Sequence, residues 1–170
     1  ESAEVNASIL NSKSGPIIID EGAQVMEGCM IKGPFYLGKH SVLKMGAKIY
    51  GPTSIGNHSK VGEEVNNSVI KSYSNKAHDG FLGNSVLGEW CNIGADTNTS
   101  NLKNNYAEVR LWDYATEGFA PTGVQSCGLM LGDQRKFWIN PQVHPGAVVG
   151  SRGNTCRLGT SSPLFPTVCG

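Results

Sequence analysis

The side chains best suited to chemistry lie between residue 64 and residue 101. His78 carries an imidazole, which accepts and releases a proton near neutral pH. Asn92 and Asn101 carry amides, which can hold a substrate or donate a hydrogen bond to a developing oxyanion. A plainer alternative stays open, because His78 also fits a polar loop beside Asp79, and asparagines often bond to backbone groups in turns. The segment predicts either a proton-transfer site or a polar corner.

A six-residue repeat predicts the scaffold that positions these side chains. An aliphatic residue recurs at every sixth position, as Ile19, Val25, Ile31, Leu37, Leu43, Ile49, Ile55 and Val61, and a small residue usually stands two positions earlier. An α-helix has a period of about 3.6 and a lone half-buried strand a period of about 2. The repeat fits a triangular coil of three short strands with roughly 18 residues per turn. We expect Val25, Leu43 and Val61 to stack on one inward face.

The repeat is interrupted twice, near residues 66–82 and 99–128, and it resumes after each gap. We predict a loop insertion at each interruption, thrown out from a corner of the solenoid, where sites on rigid scaffolds are often found. The sequence EVRLW in the second insertion could add a strand pair. Arg135 and Pro141 stand where the repeat usually has small residues. We assign residues 1–150 to the solenoid and residues 151–170 to an irregular C-terminal tail.

The composition removes several classes of function. Lys and Arg together number 14, as do Asp and Glu, and no basic run stands out, so nucleic acid and acidic membrane surfaces have no electrostatic support as partners. No apolar run resembles a signal peptide or a membrane span. The five cysteines are odd in number and form no CxxC pair, so we expect free thiols in a reducing, cytoplasmic compartment and no structural metal.

Three short sequences and one asparagine in the segment carry a resemblance to a known family. They are residues 76–78 (KAH), 81–83 (FLG) and 92–97 (NIGADT), followed by Asn101. They resemble the patterns K-x-x-H-x-x-Y-x-G and N-I-G-A-G-T-x-x-x-N in the β-helical acetyltransferase half of the bifunctional enzymes that make UDP-N-acetylglucosamine. The resemblance covers most of residues 5–133. It implies an all-β, left-handed parallel β-helix, with a nucleotidyltransferase domain expected N-terminal to it and missing from this chain.

The resemblance also implies roles for single residues. His78 falls on the general base of the family, and Phe81 takes the place of a tyrosine that lines the substrate. Asn92 and Asn101 fall on amides that hold the sugar phosphate or the acetyl group, and Ala95 falls where the backbone meets the acyl thioester. Asn66 is expected to contact the substrate where the family has a phosphate-binding lysine, which puts glucosamine 1-phosphate in doubt as the acceptor. Arg110, in the second insertion, is a candidate for a CoA phosphate or for a surface salt bridge.

The sequence supports three functional hypotheses. The first is a sugar-phosphate N-acyltransferase in UDP-N-acetylglucosamine biosynthesis, which takes acetyl-CoA as acyl donor and forms a homotrimer with sites at the subunit seams. The second is a non-catalytic trimerisation or regulatory β-helix of a sugar nucleotidyltransferase. The third is a zinc site like that of a β-helical carbonic anhydrase, suggested by His40 and His58, although that family's pair of ligands five residues apart has no counterpart here.

Overall fold

The strands of the chain wind through three flat sides in a fixed order. A computed structural model describes residues 2–155 and the strand at residues 164–165. We number the strands β1–β24 in chain order and call the three sides A, B and C, which the chain visits in that order on every turn. Within the described residues, no helix is long and apolar enough to cross a membrane.

Each side is a stack of short parallel strands. Side A contains β1 (Glu4–Val5), β4 (Gln24–Val25), β7 (Val42–Leu43), β10 (Lys60–Val61), β13 (Asn75–Lys76), β20 (Arg135–Phe137) and β23 (Gly153–Thr155). Side B contains β2 (Ile9–Asn11), β5 (Met30–Lys32), β8 (Lys48–Tyr50), β11 (Glu64–Asn66), β14 (Leu82–Gly83), β16 (Asn98–Thr99) and β21 (Gln142–Val143). Side C contains β3 (Ile17–Ile19), β6 (Phe35–Leu37), β9 (Thr53–Ile55), β12 (Val69–Ile70), β15 (Val86–Leu87), β19 (Met130–Leu131), β22 (Val148–Val149) and β24 (Leu164–Phe165).

The six-residue repeat builds the core as predicted. Val25 pairs with Leu43, and Leu43 pairs with Val61, and all three side chains are fully buried. Each buried aliphatic side chain of this kind contributes roughly 1.5–3 kcal/mol through removal of its surface from water. The predicted parallel β-helix is therefore confirmed in its all-β composition, its parallel pairing and its three-sided coil.

Serine hydroxyls run through the interior at the small positions of the repeat. The amide of Ser59 donates to Ser41 Oγ at 2.9 Å, the amide of Ser74 donates to Ser59 Oγ at 3.1 Å, and the amide of Cys91 donates to Ser74 Oγ at 3.0 Å. Buried backbone N–H groups need such acceptors where a corner interrupts the strand ladder. The small side chains therefore both fit the narrow corner and bond the turns of successive coils together.

The first interruption of the repeat is a shortened coil, which corrects the predicted insertion at residues 66–82. Val42 pairs with Lys60 eighteen residues later, but Lys60 pairs with Asn75 only fifteen residues later. The next coil is also short, because Val65 pairs with Leu82 seventeen residues later. The sides stay aligned because these coils have shorter corners, while their strands keep their positions. The repeat is lost from the sequence there although the solenoid continues without a loop.

The second interruption is an insertion, as predicted. Val86 pairs with Met130, forty-four residues later, and the extra chain forms the antiparallel hairpin β17 (Arg110–Asp113) and β18 (Gly118–Pro121). The hairpin leaves the corner between sides B and C, where the amide of Cys127 donates to the carbonyl of Asn101 at 3.0 Å. Its base packs on Gly146, whose φ is 72° and where an added Cβ would lie 2.5 Å from Val109 Cγ1. Tyr114 lines a cleft of about 470 Å³ with Val86 and Met130 of side C.

The end of the solenoid departs from the repeat in two ways. Arg135 occupies a small position, and its side chain is buried with Nε donating to the carbonyl of Gly150 at 2.5 Å. The predicted irregular tail, residues 151–170, lies largely outside the described residues. In its described part, β23 pairs with β20 and β24 pairs with β22.

Candidate functional site

The residues singled out by the motifs gather mainly on side B and its two bordering corners. We call these the AB corner, which joins side A to side B, and the BC corner, which joins side B to side C. His78 and Ala95 lie on the AB corner, Phe81 and Asn66 lie on side B, and Asn101 lies at the BC corner. The short coils at residues 61–83 bring these positions into neighbouring layers of the solenoid.

His78 is exposed on a turn that the solenoid holds from both directions. The turn joins β13 to β14, and the amide of Asp96 in the next coil donates to the carbonyl of Asp79 at 2.9 Å. Gly80 has a φ of 117° and lies so close to the carbonyl of Thr97 that an added Cβ would overlap it. From inside the solenoid, Lys76 Nζ donates to the carbonyl oxygen of His78 at 2.6 Å. An imidazole on such a turn faces solvent while its backbone is fixed.

Phe81 and Asn101 meet over Gly83. A Cβ added to Gly83 would overlap Asn101 Nδ2 and would lie 2.5 Å from Phe81 Cζ, so the missing side chain leaves the space that both groups occupy. The same amide reaches Gly128, where an added Cβ would lie 3.1 Å from Asn101 Oδ1. Asn101 Oδ1 is buried and has no hydrogen-bond partner among the described residues. A buried acceptor of this kind costs free energy unless something donates to it.

Asn66 lies beside this pair on side B. Asn66 is the register partner of Gly83, so its backbone runs directly alongside the glycine that Phe81 and Asn101 cover. Its carbonyl accepts hydrogen bonds from the amide of Asn84 at 3.0 Å and from Ser68 Oγ at 2.8 Å. The structure therefore brings Phe81 and Asn101 together, with the backbone of Asn66 alongside in the preceding coil. The side chain of Asn66 lies toward Gly51, where an added Cβ would be 2.5 Å from Asn66 Oδ1.

Ala95 shares the AB corner with His78, one coil further along. Its carbonyl accepts a hydrogen bond from the amide of Asn140 at 2.7 Å, which fixes the peptide in line with the stack of corners. The neighbouring Gly94 lies against the carbonyl of Trp138 with no room for a side chain. The backbone at Ala95 is therefore a rigid surface next to the turn that carries His78.

Two predicted site residues lie elsewhere. Asn92 sits on side A, between Asn75 and Lys136, and its Oδ1 accepts a hydrogen bond from Asn75 Nδ2 at 2.8 Å. Arg110 lies in the hairpin, where its guanidinium donates to the carbonyl of Phe119. Asn92 therefore fits the amide ladder that the plainer interpretation expected, and the guanidinium of Arg110 is engaged by its own hairpin.

Two residues near the site received no predicted role, although Lys76 belongs to the KAH sequence. Lys76 is 1% exposed inside the solenoid, and burial lowers the pKa of its amine to about 8, opposed by the charges of Glu63 and Asp79. His144 is exposed on side B, directly after β21, whose partner strand is β16. The sequence offered a signal for His144, because it comes directly after the anchor Val143 in the repeat. It offered none for the inward position of Lys76, because the shortened coil takes Lys76 out of the six-residue register.

The geometry does not support the zinc alternative. The rings of His40 and His58 are stacked with centroids 5.1 Å apart and planes at 23°, so their nitrogens do not converge on one ion. The stack continues through Tyr73 and Trp90, at centroid distances of 5.1 and 4.4 Å. Among the described residues, no group of three or more His, Cys, Asp and Glu side chains could hold a metal ion.

The described cysteines are free thiols in the core. Cys29, Cys91 and Cys127 are buried and unbridged, and burial raises the pKa of each thiol. A raised pKa leaves little reactive thiolate at neutral pH, so these residues act as small apolar side chains. Cys156 and Cys169 lie outside the described residues.

Comparison with known proteins confirms the predicted resemblance. The chain is 32% identical over 98 residues to the bifunctional protein GlmU of Methanocaldococcus jannaschii, which covers 58% of this chain and 22% of that protein. It is 31% identical over 139 residues to a bifunctional sugar-1-phosphate nucleotidylyltransferase/acetyltransferase of Sulfurisphaera tokodaii, which covers 81% of this chain and 34% of that protein. It is 25% identical over 143 residues to the uncharacterized acetyltransferase YaiX of Escherichia coli, which covers 83% of this chain and 61% of that protein.

Each of these similarities covers a part of the relative. The chain spans about a fifth of the length of the GlmU proteins of Methanocaldococcus jannaschii and Methanococcus vannielii, at 22% and 20%. No family model matches the chain. A structural similarity to the polysialic acid O-acetyltransferase OatWY covers 97% of this chain and 79% of that one, with a TM-score of 0.26 and a sequence identity of 11%.

Proposed function

We propose that this chain is the acyltransferase domain of a sugar nucleotidyltransferase, in which His78 acts as general base for transfer of an acetyl group from acetyl-CoA to an amino-sugar 1-phosphate. The observation that carries the proposal is an exposed His78 on a turn fixed by its neighbours, at one edge of the side on which Phe81 and Asn101 meet over Gly83. The similarity to proteins named as acetyltransferases supports the same chemistry.

The reaction assigns one proton transfer to His78. A free amine attacks the thioester carbonyl, the C–N bond forms, and the C–S bond breaks with release of the CoA thiol. The imidazole of His78 takes the proton that the amine loses, and that proton then neutralises the departing sulfur. The backbone at Ala95, on the same corner, is the proposed contact for the thioester, where a fixed N–H stabilises the developing oxyanion.

The cluster on side B fits an amide-bearing ligand. Asn101 Oδ1 is enclosed and has no hydrogen-bond partner among the described residues, so we propose that the amide turns to accept from an N–H of the acceptor sugar or of the acyl donor. Phe81 presents a ring beside it, suited to the apolar face of a sugar. Asn66 gives a neutral contact where the family has a lysine, so we propose weaker dependence on the phosphate of the acceptor than a lysine would provide.

Assembly is proposed from the outer face of side C. Ile18, Val69 and Val86 project from this face and are exposed, and Tyr36 and Met130 lie in the same column. Ser54 lies between Tyr36 and Val69, and the rest of the column is apolar. An exposed face of this kind suits burial against other subunits. We propose a homotrimer in the cytoplasm, joined to a nucleotidyltransferase domain that lies outside this chain, in UDP-N-acetylglucosamine synthesis.

A second candidate function is a non-catalytic trimerisation or regulatory module. It is favoured by the same apolar column on side C, which needs no active site on side B to be useful. The two candidates differ in what they require of His78, since only the acyltransferase needs its imidazole.

The test is release of CoA from acetyl-CoA, measured with glucosamine 1-phosphate and with glucosamine, for the wild type and His78→Gln. We expect the wild type to release CoA with both acceptors, and His78→Gln to be slower by about 10²–10⁴-fold in kcat. His40→Gln, an exposed histidine on the corner between sides C and A, is the matched control and should retain wild-type activity. Absence of CoA release by the wild type, or equal rates for His78→Gln, would overturn the proposal in favour of the non-catalytic module.

A further inference from the structure

Lys76 occupies a position that the preceding coils fill with aliphatic side chains. Val61 pairs with Lys76 in register, and the column before it contains Leu43 and Val25. Lys76 is 1% exposed, so its stem and its amine are both inside the coil. Burial of an ammonium group is costly unless it is well bonded, and an aliphatic residue would fill the position without that cost.

The amine of Lys76 bonds the turn that bears His78. Nζ donates to the carbonyl oxygen of His78 at 2.6 Å, two residues along the chain. A carbonyl belongs to a planar peptide, so holding this oxygen fixes the peptide plane between His78 and Asp79. Fixing that plane restricts the backbone rotation of His78 and with it the direction in which the imidazole leaves the main chain.

The charges around the amine favour this bond. Glu63, in the preceding coil, and Asp79, in the same turn, both act to raise the pKa of Lys76 against the effect of burial. A protonated amine donates more strongly to a carbonyl than a neutral one. The His78 turn is therefore held from inside by a charge-assisted bond and from outside by the contacts of Asp79 and Gly80 with the next coil.

We propose that Lys76 is a positioning residue, whose buried amine holds the His78 carbonyl and thereby orients the imidazole for its role in proton transfer. The inference rests on the proposed function for its catalytic consequence, but the structural part stands without it. Lys76 does not touch the substrate, because it is enclosed by the solenoid.

The test compares Lys76→Met with the wild type by hydrogen exchange and by CoA release. Methionine has a similar length and suits an aliphatic column, so the variant removes the donor and keeps the packing. We expect the amides of Phe81 and Asp96, which donate to Asn98 Oδ1 at 3.0 Å and to the Asp79 carbonyl at 2.9 Å, to exchange faster by about tenfold or more, while the amides of side C exchange at wild-type rates. For acetyl transfer we expect kcat to fall by about 10–100-fold with little change in KM, because misorientation of the base affects the chemical step.

Two further variants complete the test. Lys60→Met removes an exposed lysine from the neighbouring strand and should leave both exchange and activity unchanged. Lys76→Arg keeps a buried cation with N–H donors, and we expect it to restore part of the lost kcat and part of the exchange protection.

The outcomes separate this inference from the proposed function. Unchanged exchange at the amides of Phe81 and Asp96 in Lys76→Met would overturn the inference whatever the activity. Loss of the fold in Lys76→Met would overturn it as well, because it would make Lys76 a purely structural residue. Absence of CoA release in the wild type would overturn the proposed function. Faster local exchange in Lys76→Met would still support the inference that the Lys76 amine holds the His78 carbonyl.

Discussion

His78 and Lys76 are two residues apart in the chain and differ in how much of each the sequence could predict. The motif led to His78 directly, because the resemblance aligns His78, Phe81 and Asn101 with positions of the family's pattern, with Phe81 in place of a tyrosine. The burial of Lys76 could not be foreseen, since it lies fifteen residues after Val61 and so falls off the six-residue register. The orphaned oxygen of Asn101 was equally hidden, because it depends on how Gly83 and Gly128 pack around the amide.

Replacing Gly83 with alanine tests the cluster on side B without touching His78. The added Cβ would overlap Asn101 Nδ2 and crowd the ring of Phe81, so both side chains must move. We expect KM for the acceptor to rise by about tenfold, with a loss of stability below about 1 kcal/mol because the displaced groups are side-chain ends. Gly118→Ala in the hairpin, where the nearest atom would be 3.7 Å away, is the control and should change neither quantity. An unchanged KM in Gly83→Ala would exclude the cluster from substrate binding.

The lowered pKa of Lys76 predicts a pH-dependent stability. Its pKa is about 8 in the folded chain and 10.5 when the group is unperturbed, so between these values the unfolded chain binds a proton that the folded chain does not. The free energy of unfolding should therefore rise with pH over this window, by up to about 3 kcal/mol from this group. Below pH 8 the full penalty of the buried charge remains.

The measurement is urea unfolding of the wild type and Lys76→Met at pH 7, 8, 9 and 10, because other titrating groups cancel in the difference. Lys76→Met lacks the buried charge, so we expect its free energy of unfolding, relative to that of the wild type, to fall as pH rises. A difference that stays constant over this range would show that the amine titrates in the folded chain as it does in water.

At the scale of elements, the straight sides of the solenoid were predictable and its corners were not. The period of six fixed which residues of β4, β7 and β10 point inward, and EVRLW correctly indicated a strand pair in the second insertion. The first interruption was misjudged because a shortened coil and an inserted loop erase the repeat in the same way. The pairings of Lys60 with Asn75 and of Val65 with Leu82 distinguish them.

The corner between sides C and A carries a ladder of rings that should contribute to stability. Tyr73 is stacked between His58 and Trp90, with planes within 8° and 5° of parallel. We expect Tyr73→Ala to lower the free energy of unfolding by about 1–3 kcal/mol through loss of two ring contacts. Tyr106→Ala is a matched control, since Tyr106 is also exposed and also has a positive φ, 55° against 59°, but lies in the insertion. Equal effects in urea unfolding would mean that the ladder adds nothing beyond an exposed tyrosine.

At the scale of the whole molecule, the solenoid positions the side chains of its outer surface at regular intervals. Each coil adds one layer to sides A, B and C, so a side chain is placed by its coil and its side alone. The resemblance to acetyltransferases grouped Asn66, Phe81 and Asn101, and all three lie on side B or its BC corner. Phe81 and Asn101 meet over Gly83, and only the backbone of Asn66 runs beside them. It grouped Asn92 with them by sequence, although Asn92 lies on side A, because a sequence motif does not record which side of a coil a residue faces.

The role of His78 as general base is tested most directly by chemical rescue. His78→Gly removes the imidazole from an exposed turn, which leaves room for imidazole from solution to reach the same place. We predict that His78→Gly loses CoA release from acetyl-CoA and an amino-sugar 1-phosphate, and that added imidazole restores part of it in a saturable way while leaving the wild type unaffected. Wild-type activity in His78→Gly, or a loss that imidazole does not restore although the fold is intact by circular dichroism, would contradict this role.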